Sequence, residues 1–199
     1  MMHRSADCML AAAALLLFAL PMLVIALCVA VSMGTPVLFR QARAGLGGAR
    51  FELIKFRSMT DRRDASGALL PDADRVTALG RILRRSRLDE LPELWNILRG
   101  DMAFVGPRPL LPDSISDLGA TGALRCSVRP GLTGLAQVSG NSLLDMREKV
   151  AIDLLYVRER SAVLDMSIML RTPLMMVAGE RIDRTLLEKA HAGSCGGFG

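Results

Sequence analysis

A long apolar run near the N-terminus constrains the fold of this chain more than any other feature. Residues 9–33 are apolar except for Pro21 and Ser32, and no charged residue occurs between Cys8 and Phe39. A membrane helix needs about 20 predominantly apolar residues, whereas the core of a secretory signal peptide usually has about 7–15. The region before the run also carries little net positive charge. The sequence therefore favours a retained membrane segment over a cleaved signal peptide.

Pro21 lies near the middle of this run and predicts a bend, because proline cannot donate a hydrogen bond to the carbonyl of Leu17. The two halves, residues 9–20 and 22–33, are each about 18 Å long, shorter than the hydrocarbon core of about 30 Å. A single kinked spanning helix is the alternative, since proline is tolerated in membrane helices. Arg4 and Asp7 favour a re-entrant segment, because such a segment never has to carry this charged pair across the membrane.

The composition limits the partners of the rest of the chain. A net charge of +5 suits either nucleic acid or an anionic surface. Only Trp95, Tyr156 and six phenylalanines are available for stacking on bases, and no nucleic-acid-binding motif occurs. The four cysteines show neither a disulfide framework nor metal-ligand spacing, which is consistent with a reducing cytoplasmic face. Lipid headgroups and phosphate-bearing substrates are therefore expected, and nucleic acid is not.

Residues 84–109 carry the strongest chemical signal. Leucines at steps of three and four predict an amphipathic helix that begins near Asp89, with Pro92 in its first turn and Glu93 and Asn96 on its polar face. The helix dipole and nearby arginines should favour the ionised form of Asp89, which makes it a candidate nucleophile or metal ligand. The simpler alternative is that Asp89 and Glu90 are N-terminal helix charges worth about 0.3–1 kcal/mol each. The apolar face would comprise Leu88, Leu91, Leu94, Trp95 and Leu98.

The remaining pattern predicts an α/β fold, mostly helical with a small sheet. Residues 51–56 alternate in polarity and predict a strand that ends with Lys55 and Arg57, although a solvated strand edge has the same pattern. Residues 41–50 are expected to form a glycine-rich basic turn, and residues 61–74 and 110–125 to form a loop and a linker. Residues 76–85, 146–156 and 164–178 are expected to be helical, the first and last as amphipathic interfacial helices. For residues 76–85, a helix that packs on a small core and has a solvated basic face fits the pattern equally well.

Three strings occur in an order that resembles the bacterial sugar transferase family, the monotopic phosphoglycosyl transferases. They are KFRSM from Lys55, LDELPELWNILRGDMAFVGPRP from Leu88 and VRPGLTGLAQVSG from Val128. The resemblance runs from Arg4 and Asp7 to the segment around Asp153, Tyr156 and Asp165. It implies a re-entrant membrane helix in residues 1–39, broken at Pro21, a catalytic domain in residues 40–190 on the cytoplasmic face of the inner membrane, and a flexible tail in residues 191–199.

The resemblance also implies an activity. Such an enzyme transfers a sugar 1-phosphate from a nucleotide diphosphate sugar, with a UDP-sugar favoured, to polyprenyl phosphate. It releases UMP and starts assembly of an exopolysaccharide, an O-antigen or a glycoprotein glycan. Mg²⁺ is the implied cofactor, because a hard cation offsets the repulsion between an anionic nucleophile and a diphosphate. Membrane lipids are expected partners, and a homodimer is left open.

By the same resemblance, Asp89 is the nucleophile and also contacts the metal, while Glu90 helps to hold the metal or assists proton movement. Two positions depart from the family pattern. Asn141 stands where the family often has arginine, which puts a substrate contact there in doubt, and Leu20-Pro21 stands where the family often has Ser-Pro. Substrate-binding roles are implied for Lys55, Arg57, Arg84, Arg108, Arg129 and Asp153.

Two other classes of protein remain open from the sequence. One is a non-catalytic membrane-surface scaffold, which Asn141 supports and which Asp89, Glu90 and Arg108 oppose. The other is a glycosyltransferase that moves only the sugar, although the Asp-x-Asp that usually precedes a nucleotide-binding domain in such enzymes is missing. The released nucleotide distinguishes the three classes, since it is UMP for phosphoglycosyl transfer, UDP for glycosyl transfer and neither for a scaffold. The sequence does not identify the sugar, the length of the lipid or the pathway.

Overall fold

The computed structural model describes residues 4–195, which form mostly helices and two small sheets. This agrees with the mostly helical α/β fold that the sequence predicts. The strands are β1 (Leu38–Ala44), β2 (Arg50–Phe56), β3 (Ala103–Val105) and β4 (Gly131–Thr133). The helices are α1 (Arg4–Leu17), α2 (Ala19–Met33), α3 (Asp72–Arg75), α4 (Ala78–Arg85), α5 (Glu93–Arg99), α6 (Pro112–Asp117), α7 (Gly119–Arg125), α8 (Leu135–Val138), α9 (Met146–Glu159), α10 (Ala162–Ala178) and α11 (Arg184–Cys195).

Strands β1 and β2 form an antiparallel hairpin in which Leu38 pairs with Phe56 and Ala44 pairs with Arg50. The predicted strand at residues 51–56 is confirmed, but the predicted turn at residues 41–50 is wrong in its first half. Strand β1 continues to Ala44 because β2 supplies its backbone partners, so an edge strand rich in polar residues still forms. The turn itself is shorter and contains Gly47 and Gly48, whose φ angles are 65° and 78°.

Strands β3 and β4 are parallel and bring two turns into close contact. Ala103 pairs with Gly131, and Val105 pairs with Thr133. A Cβ atom on Gly131 would lie 2.1 Å from the backbone nitrogen of Gly106, so no other residue fits at this position without a shift of the backbone. The glycines therefore allow the turn that follows β3, which contains Arg108, to pack directly on the chain before β4.

The N-terminal apolar run forms two helices, α1 and α2, that are bent by 61° at Phe18. The predicted bend at Pro21 is thus displaced by three residues. Proline is tolerated in the first turn of a helix, where its missing N–H needs no partner, so α2 begins just before Pro21. Within residues 4–195, no single helix is long and apolar enough to cross a membrane, but this bent pair meets the length and composition criteria together.

Both ends of the bent pair contact the same globular part of the chain. Arg4 donates hydrogen bonds to the carbonyl oxygens of Ile97 (2.5 Å) and Leu98 (2.7 Å), which satisfies the C-terminal end of α5. At the other end, Val29 of α2 is fully buried and packs with Phe56 and Leu83. The helices between these contacts expose large apolar side chains, among them Leu16, Leu17, Leu20, Leu23 and Leu27.

The amphipathic helix predicted to begin near Asp89 exists in two parts. A 3₁₀ turn (Leu88–Glu90) leads into α5, so Asp89 lies in the turn that begins the helical segment. The predicted faces are partly wrong, because Trp95 is 49% exposed whereas Asn96 is fully buried. The Asn96 side chain accepts from the Ile54 backbone N–H and donates to the carbonyl of Glu52, so it pairs with the backbone of β2.

The predicted linker at residues 110–125 is instead helical and contains α6 and α7. Its glycines and serines hide the pattern, and packing on the hairpin stabilises these short helices, since Ile115 is buried against Ala44 and Cys126. The helices predicted at residues 146–156 and 164–178 are confirmed as α9 and α10. Helix α11 includes residues 191–195 of the predicted tail, and residues 196–199 lie outside the described residues.

Candidate active site

A cavity of about 990 Å³ opens where the hairpin, α4, the 3₁₀ turn and the turn after β3 converge. Eight basic side chains and five carboxylates line this cavity, so its wall has an excess of positive charge that suits a polyanionic ligand. The structure brings six of the eight site residues implied by the resemblance to this wall, namely Lys55, Arg57, Arg84, Asp89, Glu90 and Arg108. Arg129 and Asp153 do not line it.

A left-handed residue sets the direction of the chain before the acidic pair. Arg87 separates α4 from the 3₁₀ turn and has a φ angle of 57°, which is unfavourable for a residue with a side chain. Within residues 4–195, Arg87 and Asn141 are the non-glycine residues with positive φ, and both line the cavity. Backbone strain of this kind clusters at functional sites, where the surrounding structure holds it in place.

Glu90 is the centre of the charge network. Its Oε1 atom accepts from Nζ of Lys55 at 2.9 Å and from Nη2 of Arg108 at 2.5 Å, and its Oε2 atom lies 3.5 Å from Nη1 of Arg87. Burial alone would raise the pKa of Glu90, but the charges of Arg108 and Lys55 outweigh burial and lower the pKa to about 2. Glu90 is therefore ionised, and these cations occupy its oxygen atoms.

Asp89 is buried to 8% exposure beside Glu90, yet no ion pair to its carboxylate occurs among the described residues. Burial, together with the charge of Glu90, raises its pKa, and Lys55 and Arg84 only partly oppose this effect. The sequence-based prediction that the surroundings favour the ionised form is thus wrong in direction, because burial outweighs the arginines. Asp89 is the carboxylate of the pair that has oxygen atoms available to a ligand.

Glu93 adds a third carboxylate that the sequence placed only on a polar helix face. It is 3% exposed, and its Oε1 atom lies 3.0 Å from Nζ of Lys55. Burial raises the pKa of Glu93 to about 7, with Lys55 opposing the rise and Glu90 adding to it. Lys55 therefore lies between Glu90 and Glu93, where it offsets the negative charge around Asp89.

Two of the expected phosphate-binding arginines also have structural partners. The Nε atom of Arg57 donates to the carbonyl of Met59 at 3.1 Å, and its Nη2 atom pairs with Asp61 at 2.5 Å. The Nε atom of Arg84 donates to Oγ of Ser58 at 2.9 Å. These contacts fix both guanidinium groups on the cavity wall beside the end of β2.

The two expected residues that lie outside the cavity make contacts elsewhere in the structure. The Nε atom of Arg129 donates to the carbonyl of Gly100 at 3.0 Å, so Arg129 ties the end of α5 to the chain before β4. Asp153 forms a buried ion pair with Arg125, whose Nε and Nη2 atoms lie 2.8 Å and 2.7 Å from Oδ2 of Asp153. The Nη2 atom of Arg125 also donates to the backbone carbonyl of Arg108. The pair therefore supports the arginine that binds Glu90.

Sequence reasoning missed several residues that shape the site. Arg87 and Glu93 lie inside or beside recognised strings, so their positions offered a usable signal, and Asn141, which departs from the family pattern, lies on the cavity wall. Arg125 lies in the segment predicted as a linker, and Glu180 follows α10 outside every motif. No periodicity or spacing points to these two, because only the tertiary fold brings them to the site.

The carboxylate of Asp89 fits a magnesium ion held jointly with substrate. No group of three or more metal-ligating side chains occurs among the described residues. Magnesium, however, is commonly bound by one or two carboxylates together with substrate phosphates. Asp89 offers such a carboxylate on the cavity wall, whereas cations already occupy the oxygen atoms of Glu90.

The fold and the site together define a class of protein in which a basic cavity wall surrounds a buried acidic pair. A model of the bacterial sugar transferase family matches residues 1–179 of the chain. The chain belongs to this family, which confirms the family predicted from the sequence.

Three relatives show how far the similarity extends. The chain is 44% identical to an uncharacterized sugar transferase, EpsL, of Bacillus subtilis, over 79% of this chain and 78% of that protein. It is 46% identical to a UDP-glucose:undecaprenyl-phosphate glucose-1-phosphate transferase of Caulobacter vibrioides, over 81% of this chain and 65% of that protein. It is 37% identical to the exopolysaccharide production protein ExoY of Rhizobium meliloti, over 86% and 84%.

Proposed function

We propose that this chain is a phosphoglycosyl transferase that moves a sugar 1-phosphate from a UDP-sugar to polyprenyl phosphate and releases UMP. The observation that carries the proposal is the buried acidic pair, in which Glu90 is neutralised by cations while the carboxylate of Asp89 is available on the cavity wall. The names of relatives support the substrate class, since three of them are described as UDP-glucose:undecaprenyl-phosphate glucose-1-phosphate transferases. The step would begin assembly of a polysaccharide or another glycan.

The reaction then proceeds in two displacements at one phosphorus atom. An oxygen of Asp89 bonds to the phosphorus that carries the sugar, and the bond from that phosphorus to the bridging oxygen breaks, so that UMP leaves with the electron pair. An oxygen of polyprenyl phosphate next attacks the same phosphorus and releases Asp89. Two steps allow the charged nucleotide to leave before the lipid phosphate enters.

The basic residues of the cavity bind the phosphates and hold the acidic pair in place. Arg84 and Arg108 contact the diphosphate, because a guanidinium offers two parallel donors to phosphate oxygens. Glu90 orients Lys55 and Arg108 through its two hydrogen bonds. Asp89, with donor phosphates, would hold the Mg²⁺, which supplies a positive charge against the diphosphate as the anionic nucleophile approaches.

A test of the function measures the released nucleotide. The full-length chain in nanodiscs is incubated with polyprenyl phosphate, Mg²⁺ and one UDP-sugar at a time, and the products are separated by chromatography. The proposal expects UMP together with a polyprenyl diphosphosugar. Release of UDP would indicate transfer of the sugar alone, and absence of turnover with every donor would favour the scaffold.

The membrane topology is part of the same proposal. The bent pair α1 and α2 enters the bilayer and returns, with the catalytic part on the cytoplasmic face of the inner membrane. Its two ends support this topology, because Arg4 contacts α5 and Val29 packs on β2 and α4, all within one globular part. A spanning helix would separate these ends by the thickness of the bilayer core, about 30 Å.

The topology is tested with a single cysteine near residue 2, in a variant that lacks the native cysteines. Intact cells are treated with a membrane-impermeant thiol reagent before and after lysis. Protection in cells followed by labelling after lysis is expected. Labelling before lysis would place the N-terminus outside and contradict the re-entrant topology. A control cysteine at Glu188, an exposed residue of α11, reports whether the reagent reaches the cytoplasmic face.

A further inference from the structure

Glu180 lies on the cavity wall just after α10, opposite in charge to most of that wall. Its Oε2 atom accepts from the Ser142 backbone N–H at 3.0 Å and from the Ser142 hydroxyl, and its Oε1 atom accepts from the amide of Asn141. Asn141 lines the same cavity. Three hydrogen bonds from two adjacent residues therefore hold the carboxylate in one orientation.

The partners of Glu180 distinguish it from the other carboxylates of the wall. Its hydrogen bonds come from neutral groups, and the salt bridges of the described residues include none to Glu180. Its charge is therefore retained, whereas three of the other carboxylates are paired with cations, Asp61 with Arg57, Asp72 with Arg75, and Glu90 with Lys55 and Arg108.

A carboxylate held in this way is suited to neutral donor groups and not to phosphate. Phosphate oxygens and the Glu180 carboxylate repel each other, so a diphosphate is bound at the arginines of the wall. An ionised carboxylate has about four acceptor sites, and the contacts described above occupy three of them on Glu180. The remaining site accepts a hydroxyl group, through a charge-assisted hydrogen bond that is stronger than a neutral one.

The position of Glu180 indicates which hydroxyl groups reach it. Arg87 lies 3.5 Å from Glu90 and also lowers the pKa of Glu180 through its charge, although burial and the hydrogen bonds of Ser142 and Asn141 affect that pKa more. Glu180, Arg87 and the acidic pair line the same cavity. In the proposed reaction the phosphorus at Asp89 carries the sugar, so the sugar is the neutral part of the donor that enters this cavity beside the acidic pair.

We infer that Glu180, held by Asn141 and Ser142, accepts hydrogen bonds from the donor sugar and determines which sugar the enzyme uses. The inference rests on the proposed function and extends it, because it assigns the sugar-binding part of the cavity. Epimers that redirect one hydroxyl group, or sugars that lack it, then lose this hydrogen bond while they keep the same nucleotide and diphosphate.

The experiment compares wild type and Glu180→Gln in nanodiscs with four donors that differ only in the sugar. These are UDP-glucose, UDP-galactose, UDP-xylose and UDP-N-acetylglucosamine. UMP release gives kcat/KM for each donor, and inhibition by UDP reports binding of the nucleotide without a sugar. The ratio of kcat/KM between the best and the poorest donor is expected to change by about tenfold or more, since a hydrogen bond to a charged group is replaced by a neutral one. The inhibition constant of UDP is expected to stay within twofold.

Controls separate a specificity role from a structural one. Glu188→Gln makes the same chemical change at an exposed residue of α11 and is expected to leave the kinetics with all four donors unaffected. Glu180→Asp should retain a donor preference closer to wild type than Glu180→Gln. An unchanged donor ratio, or an equal loss with every donor, overturns the inference, and so does a change in UDP inhibition as large as the change for the donors. Absence of UMP release by wild type would instead contradict the proposed function.

Discussion

The cavity and the interior beside it contain two groups of paired cations and carboxylates that differ in their exposure to solvent. The open cluster comprises Lys55, Asp89, Glu90, Glu93 and Arg108, and its Arg108 side chain is 39% exposed. The closed pair comprises Arg125 and Asp153, whose side chains are 4% and 5% exposed. A donated hydrogen bond from Arg125 to the Arg108 carbonyl connects the two.

The two groups differ in how completely their charges are paired as well as in their exposure to solvent. In the closed pair, one guanidinium and one carboxylate satisfy each other through two contacts, and no charge remains to attract a ligand. In the open cluster, Lys55 contacts two carboxylates, Glu90 contacts three cations, and Asp89 has no ion pair among the described residues. Under the proposed function, the open cluster is therefore the part that binds and reacts, while the closed pair contacts the Arg108 backbone and would hold it in position.

The largest expected effect comes from removing the nucleophile of the open cluster. Asp89→Asn should lower UMP release by about 10³-fold or more, because an amide cannot supply the attacking anionic oxygen. The fold should persist, since the carboxylate has no ion pair among the described residues and asparagine has the same shape. UMP release is measured alongside a thermal unfolding curve. Wild-type turnover by the folded variant would remove Asp89 from the mechanism.

The first effect expected from a substitution in the closed pair is a loss of stability. Arg125→Met leaves Asp153 buried without its partner, which typically costs about 3–5 kcal/mol. The double variant Arg125→Met, Asp153→Leu should recover most of this stability, because it leaves no unpaired buried charge. Activity should remain low in the double variant, since the Arg108 carbonyl still lacks its donor. Thermal unfolding and kcat/KM are both measured.

A double variant with wild-type activity would contradict the positioning role of the closed pair. Asp153 would then contribute only to packing. Loss of activity with wild-type stability in Arg125→Met alone would contradict the energetic part of the comparison, because it would mean that the buried Asp153 does not need its partner.

Arg108 tests whether geometry matters in the open cluster in addition to charge. Arg108→Lys keeps the positive charge but loses the planar two-point contact with phosphate and alters the contact with Glu90. We expect kcat/KM to fall by about 10- to 100-fold with little change in stability. Arg99→Lys, on the exposed end of α5, is the matched control. Wild-type kinetics in Arg108→Lys would make this residue a simple surface charge.

The sequence predicted the open cluster far better than the closed pair. Asp89, Glu90 and Arg108 lie in strings whose order is specific, and a helix pattern placed the acidic pair at the start of a helical segment. The shift in the pKa of Asp89 could not be predicted in the same way. Its direction is set by burial, which outweighs the nearby positive charges. The strings give the identity of the site residues but not their surroundings.

The errors in the fold have similar physical causes. Asn96 was expected to face solvent, but it pairs with the backbone of β2, which has no signal in the sequence of α5. Residues 110–125 form helices through packing on the hairpin despite weak local propensity. The local pattern therefore places Arg125 in a linker, and its contact with Asp153 joins two segments whose proximity only the tertiary structure defines.

Glu93 offers the smallest effect and the sharpest test of the charge balance in the open cluster. Its pKa is about 7 in the folded chain, whereas an unfolded glutamate has a pKa near its ordinary value of 4.5. Between these values the folded chain binds more protons, so the contribution of Glu93 to stability is present below pH 4.5 and is lost as pH rises to about 7. Glu90 acts in the opposite sense and at lower pH, since its pKa is lowered to about 2.

Glu93→Gln should therefore flatten the dependence of stability on pH between 4.5 and 7 and leave the acid limb unchanged. At pH 8 the variant should be more stable than wild type by about 1–3 kcal/mol, because a buried carboxylate no longer has to ionise. Unfolding is followed by thermal denaturation at half-unit pH steps, with Glu52→Gln on the exposed hairpin as the control. A variant that retains the wild-type slope, or that is less stable at pH 8, would show that Glu93 is ionised and paired with Lys55. Lys55 would then be shared by two charged carboxylates, and the open cluster, with two cations and three ionised carboxylates, would carry a net negative charge.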